Sequence, residues 1–247
     1  MAEKHFEEQR RHTRDVLLPY FREHIGDIRS LRILEVGCAE GGFLDVLREE
    51  SVEAVGLEIE THRVKTAVAK NPELRIVVGD ISDADSMKDI GGPFDLIVMR
   101  DVIEHVTKRE STLRNLRGLL NSDGYAYITF PPRFSPFAGH QQHGRTVLGK
   151  TPYLHLAPPA LLRFLGKWFG EDSAVVETAI ANGRIGLSIR RFVRLCRRSG
   201  FEIVRKDLFL IRPAFQTRYG IKPRRFPDIP VLNELFSMGC ECLIRKK

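Results

Sequence analysis

Three groups of residues in this 247-residue chain have the types and spacing to do chemistry. The first is the turn Gly37-Cys38-Ala39-Glu40-Gly41-Gly42, preceded by Glu35 and followed at a distance by Glu58 and Asp80. Glycines between a strand and a helix present bare backbone and a helix N-terminus to a nucleotide-shaped ligand. The second group is Asp101, Glu104 and His105, which share one face if they lie on a helical turn. Two carboxylates and an imidazole are donors from which a divalent cation site can be built. The third is His140 and His143 in "SPFAGHQQHG". An imidazole with an ordinary pKa of about 6.5 suits a general base.

The surrounding pattern shows how these groups are positioned. Residues 5–25 read as an amphipathic helix with apolar positions Phe6, Val16, Leu17 and Phe21, interrupted near Pro19. From residue 31, apolar strands alternate with helical segments: "LRILEVG", "GGFLDVLREE", "VEAVGLEI", "THRVKTAVAK", "LRIVVGD", "FDLIVMR", "KRESTLRNLRGLL" and "YAYITF". Strands apolar on both faces and separated by helices predict a parallel sheet covered on both sides. The alternation breaks over 131–186, a stretch rich in Pro, Gly, His and aromatic residues that is too long for an ordinary loop and is expected to fold over the sheet as a lid. Regular structure returns with "SIRRFVRLCRRSG", "FEIVRKDLFLI", a short helix near "VLNELFSM" and "CECLIRK". The expected fold is therefore a doubly wound α/β architecture. It has a seven-stranded, mostly parallel sheet, an antiparallel closing hairpin and a lid inserted after the fifth strand. The expected organisation is an N-terminal helical segment over 1–30, a nucleotide-binding core over 31–130, the substrate lid over 131–186 and completion of the sheet over 187–247.

Composition narrows the class. Hydrophobic residues make up 43% and charged residues 29%, the balance of a water-soluble globular chain. No apolar run approaches the roughly 18 residues of a spanning helix. The N-terminus is charged throughout and has no apolar signal core, so a cytoplasmic location is expected. Cys38, Cys196, Cys240 and Cys242 are scattered, which fits a reducing compartment. The net charge of +7 lies mainly in "IRRFVRLCRRSG", "IKPRRF" and "LIRKK". Such charge attracts nucleic acid, anionic membranes or acidic substrates, but no basic–aromatic RNA-binding signature accompanies it.

Strand ends and spacing discriminate among nucleotides. Glu58 ends the second strand, 21 residues after Gly37, where a carboxylate accepts both hydroxyls of a ribose. Asp80 follows the third strand at the same edge. The middle glycine of a dinucleotide fingerprint is replaced by Ala39, and Glu40 stands where a diphosphate would be repelled. Glu35 favours a cationic group. A nucleoside carrying positive charge and no phosphate fits better than NAD.

At this point the sequence resembles a known family. "ILEVGCAEGG", "VGLEIE", "VVGDIS", "FDLIVMRDVIEHV" and "LNSDGYAYITFPP" are similar, in order, to the motifs of class I S-adenosylmethionine-dependent methyltransferases over about residues 31–132. The resemblance implies S-adenosyl-L-methionine as cofactor. It implies that Glu35, Gly37, Cys38 and Ala39 line the methionine end, that Glu58 takes the ribose with Ile59 beside it, that Asp80 and Ile81 meet the adenine, and that Arg100 lies beneath the sulfonium.

Methyl transfer from a sulfonium to a hydroxyl requires alignment and a base or a metal. Asp101, Glu104 and His105 resemble the E-x-x-E-H cluster of metal-assisted ubiquinone-pathway O-methyltransferases and small-RNA 2′-O-methyltransferases, with a shortened first acid. They are read here as a turn cap and cleft wall, with no metal. His140 and His143 are the candidate catalytic bases, and His155 is read as packing inside the lid. Leu161, Leu162, Leu165, Trp168 and Phe169, near Arg163 and Lys167, can cover a lipid-linked or aromatic substrate or rest on a membrane surface. The expected function is O-methylation of a small-molecule, glycan or lipid-linked acceptor. The alternatives are a metal-assisted RNA 2′-O-methyltransferase and a non-catalytic S-adenosylmethionine-binding regulator.

Overall fold

The computed structural model describes residues 2–139, 141 and 144–247. The sheet is built from β1 (Arg32–Val36), β2 (Glu53–Glu58), β3 (Ile76–Val78), β4 (Phe94–Arg100), β5 (Leu120–Phe130), β6 (Phe201–Ile211), β7 (Arg224–Arg225) and β8 (Gly239–Lys246). Their spatial order is β3-β2-β1-β4-β5-β8-β6-β7. The first five strands are parallel, and β8 runs antiparallel between β5 and β6. The expected doubly wound sheet is present. The strand beyond the anticipated seven is β7, a two-residue edge strand whose shortness left no periodicity to read. The closing pair β6 and β8 is antiparallel but is not joined by a tight turn. α9 (Pro213–Tyr219), β7 and α10 (Leu232–Phe236) lie between them.

Alternation along the buried strands divides the core into two layers. Leu34, Val36, Ile97, Met99, Ala126 and Ile128 face one side. There they meet Leu113 and Leu116 of α5 (Arg109–Leu119) and Phe192 of α8 (Ile189–Arg198). Ile33, Leu96, Val98 and Tyr127 face the other side and meet Phe43 and Leu47 of α3 (Gly42–Glu49). Leu17 and Phe21 complete that layer. The helix α4 (Thr61–Lys70) connects β2 to β3.

The N-terminal segment is one continuous helical run whose regular ladder is interrupted just before Pro19: α1 (Ala2–His12) passes through a π-helical stretch Thr13–Leu17 into α2 (Leu18–His24), with Pro19 in the first turn of α2. The Thr13 hydroxyl donates to the Gln9 carbonyl, 2.7 Å, where the ladder widens. Between β5 and α8, the described residues include the 3-10 turns Val147–Lys150 and Leu154–Leu156, α6 (Pro159–Phe169) and α7 (Ser173–Ile185). Leu162, Val176 and Ile180 make a small apolar cluster of their own there. Among the described residues, no helix is long and apolar enough to cross a membrane. All four cysteines are buried free thiols.

Candidate functional site

The site forms where the carboxyl ends of β2, β1 and β4 lie side by side, the edge at which open α/β sheets bind ligands. At the end of β1, Gly37 has φ of +75°, and a Cβ there would come 2.4 Å from Val102 Cγ2. Only glycine serves the turn at that point. Ala39 is also left-handed, with φ of +51°. Its amide is held by Glu58, whose Oε2 accepts from Ala39 N at 2.8 Å while Oε1 accepts from Glu60 N at 3.0 Å. Glu58 is 5% exposed. A carboxylate offers about four lone-pair positions, so two backbone donors leave capacity for two further hydroxyls.

Glu35 is buried and accepts from Arg100 Nη2 at 2.6 Å through Oε1. Its Oε2 and the Nε of Arg100 have no hydrogen-bond partner among the described residues. Burial pushes the Glu35 carboxyl up, and the Arg100 guanidinium works in the opposite direction. Arg100 also stacks over the Phe43 ring, 5.3 Å from its centroid. One buried acceptor and one buried donor without partners complement the ammonium and carboxylate of an amino acid. Cys38 is fully buried, and burial raises its thiol well above the ordinary range. Beyond β3, Asp80 Oδ1 accepts from Ser82 N at 2.7 Å. Ile81 is buried and its carbonyl accepts from Asn115 Nδ2 at 2.8 Å. Ile59 is 61% exposed, so it stands at the rim and not in the wall.

The second group differs from its expected arrangement. Residues 101–107 form an irregular turn, so Asp101, Glu104 and His105 do not share a helical face. Asp101 has φ of +53° and is gripped through both oxygens by Arg212 Nη2, at 2.5 and 2.7 Å. Glu104 is turned inward, and neither carboxyl oxygen has a hydrogen-bond partner among the described residues. His105 Nε2 stands 3.7 Å from Glu104 Oε1. Burial, then the nearby Asp101 charge, push the Glu104 carboxyl well above its usual range, and burial lowers His105. These two residues, with Pro131, Arg133, Ala138, Asn182 and Gly186, enclose a cavity of about 10 Å³, the space of roughly one water. Among the described residues, no group of three or more His, Cys, Asp or Glu is gathered to hold a metal ion.

His140 and His143 lie outside the described residues. Their neighbours are placed. Ala138 lines the cavity beside Glu104 and His105, and the Gly139 carbonyl accepts from Asn182 Nδ2 at 3.3 Å. His155 is 3% exposed, with Nε2 2.8 Å from the Arg133 carbonyl, a packed interior residue.

Sequence reasoning missed the cover over the glycine turn. Gln9 of α1 donates to the Cys38 carbonyl at 3.4 Å and accepts from Gly42 N at 3.1 Å. The His5 ring meets the Glu40 carboxylate, and Arg10 pairs with Asp45. Glu40, read as a repeller of diphosphate, is thus engaged by α1. Burial opposes its ionisation, but the His5 hydrogen bond prevails and lowers its pKa. His12 Nδ1 lies 3.2 Å from Thr217 Oγ1. Burial, then the charges of Arg100 and Arg212, depress His12 to about 3. The available signal was polar Gln9 and Thr13 in line with apolar Phe6 and Leu17, at spacings that put all four on one buried face.

The sheet order, with five parallel strands and an antiparallel strand between β5 and β6, is that of a Rossmann-like methyltransferase fold. Residues 3–206 match the methyltransferase domain family, and the chain belongs to it. Its relatives include the ubiquinone biosynthesis O-methyltransferase of Azorhizobium caulinodans, 27% identical over 121 residues that cover 47% of this chain and 48% of that protein. A dTDP-4-amino-2,3,4,6-tetradeoxy-D-glucose N,N-dimethyltransferase of Saccharopolyspora spinosa is 31% identical over 120 residues, 46% of each chain. The chain thus spans about half the length of the curated relatives it matches. The magnesium protoporphyrin IX methyltransferase of Synechocystis, solved with S-adenosylhomocysteine bound, superposes with a TM-score of 0.55 at 14% identity, covering 97% of this chain and 84% of that one. The cofactor of the class is S-adenosylmethionine. The unpartnered Glu35 Oε2 and Arg100 Nε, and the spare acceptor capacity of Glu58, fit it.

Proposed function

We propose that the protein transfers a methyl group from S-adenosylmethionine to oxygen on a small-molecule, glycan or lipid-linked acceptor in the cytoplasm. The observation that carries this reading is the placing of two groups of residues at one sheet edge. Glu35, Glu58 and Arg100 form a cofactor half, and the turn that carries Glu104 and His105, beside the start of the 131–186 insertion, marks the side from which an acceptor would approach. When bound, the cofactor supplies an electrophilic methyl on a sulfonium. Glu58 accepts the ribose hydroxyls. Glu35 and Arg100 hold the amino-acid end, and Gly37, Cys38 and Ala39 line it with backbone. Asp80, Ile81 and Ile59 border the adenine. His140 or His143 accepts the proton of the acceptor hydroxyl. The small-molecule chemistry named for the two curated relatives supports an acceptor of this size.

Incubating the protein with methyl-labelled S-adenosylmethionine and fractionated metabolite pools tests the reading. Label is expected on an oxygen of a small or lipid-linked product. Label on nitrogen, label on RNA in a salt-sensitive reaction, or binding of the cofactor with no transfer to any fraction would each overturn it. Chelation gives a second test. Because Arg212 already occupies Asp101, EDTA is expected to leave turnover unchanged. Loss of activity restored by Mg²⁺ or Mn²⁺ would reinstate the cation site.

A further inference from the structure

The helix α6 carries an outward face that the proposed transfer reaction does not use. Pro159 opens the helix and Gly170, with φ of +65°, closes it. Its inner side is fixed on α7. Leu162 is 3% exposed, and a Cβ on Gly166 would come 2.6 Å from Val176 Cγ2. At 100° per residue, Leu161, Phe164 and Trp168 then share the opposite side. They are 45%, 59% and 74% exposed, and the Phe164 and Trp168 rings lie 6.0 Å apart at 32°. This side is open to solvent. Arg163 and Lys167, one turn apart, flank the apolar face, and the helix contains no acidic residue. Glu177 of α7 holds the Arg163 guanidinium through two hydrogen bonds, while Lys167 is exposed. The 3-10 turn Val147–Lys150, which packs against α6, adds exposed Val147 and Lys150.

We propose that α6 docks in the plane of an anionic phospholipid surface, with Leu161, Phe164 and Trp168 in the acyl boundary and Lys167 and Lys150 at the headgroups. An interfacial helix needs an apolar face, a cationic flank and an aromatic residue at the boundary, and this one has all three. The net charge of +7 favours approach to a negative surface. The inference does not depend on the acceptor's identity.

Trp168 is the only tryptophan in the chain, so its emission reports this face alone. Full-length protein is titrated with vesicles of phosphatidylcholine alone and of phosphatidylcholine mixed with phosphatidylglycerol. The emission is expected to shift to the blue only with the mixed vesicles, and raised salt should weaken the effect. The variant L161S/F164S should bind the mixed vesicles at least about tenfold more weakly, with an unchanged melting temperature because both side chains are already exposed. Flotation of both proteins with the same vesicles gives a second reading that does not rely on fluorescence. No shift and no flotation with mixed vesicles would overturn the proposal, as would equal binding to both vesicle types or equal binding by the variant. A blue shift that grows with protein concentration in the absence of lipid would overturn it in favour of a second copy of the chain.

Discussion

Replacing Glu58 with alanine is expected to weaken S-adenosylhomocysteine binding by about 100-fold. Two charge-assisted hydrogen bonds to ribose hydroxyls, each on the order of 1.5 kcal/mol, account for that factor. A further cost arises within the protein. Glu58 also holds the amide of Ala39 in a left-handed turn, and alanine would leave that amide without its acceptor. The variant should therefore melt at a lower temperature as well as bind less well. Glu58→Gln keeps one carbonyl oxygen for Ala39 N and should recover most of the stability but little of the affinity. Calorimetry of the three proteins checks this. Unchanged affinity in the alanine variant would remove Glu58 from the ribose site.

The second large effect concerns turnover. If His140 or His143 takes the acceptor proton, its replacement by alanine or glutamine should lower kcat by roughly 100-fold or more and leave cofactor affinity nearly unchanged. The rate should fall as pH drops through the pKa of that imidazole, because only the neutral ring accepts a proton. His12 does not confuse this limb. Its pKa of about 3 keeps it neutral throughout the working range, so His12→Gln should leave the limb in place. Full activity in both single variants and in the double variant would exclude a base from this segment.

The sheet and the glycine turn were legible in the sequence because local signals wrote them. β1, β2 and β4 are apolar on both faces, and the turn that follows β1 needs glycine at Gly37, where φ is positive and a Cβ would meet Val102. What was not legible depends on contacts between distant parts of the chain. Nothing local marks Gln9 as a partner of Cys38 and Gly42, 29 and 33 residues away. The same holds for Arg212, which reaches Asp101 across 111 residues. That ion pair is what turns a suggestive Asp-Glu-His spacing into a bound aspartate and an inward glutamate. The helix α9 was missed because seven residues behind a proline show too little periodicity. Glu40 was read as facing the ligand because no sequence rule places His5 of α1 against it.

The central claim, that the carboxyl edge of β1, β2 and β4 is an S-adenosylmethionine site anchored at both ends, is tested most directly by a crystal structure with S-adenosylhomocysteine. The expected result is a ribose on Glu58, an ammonium on Glu35 Oε2 and a carboxylate within reach of Arg100 Nε. Nucleoside density elsewhere, or a ribose that leaves Glu58 untouched, would contradict it.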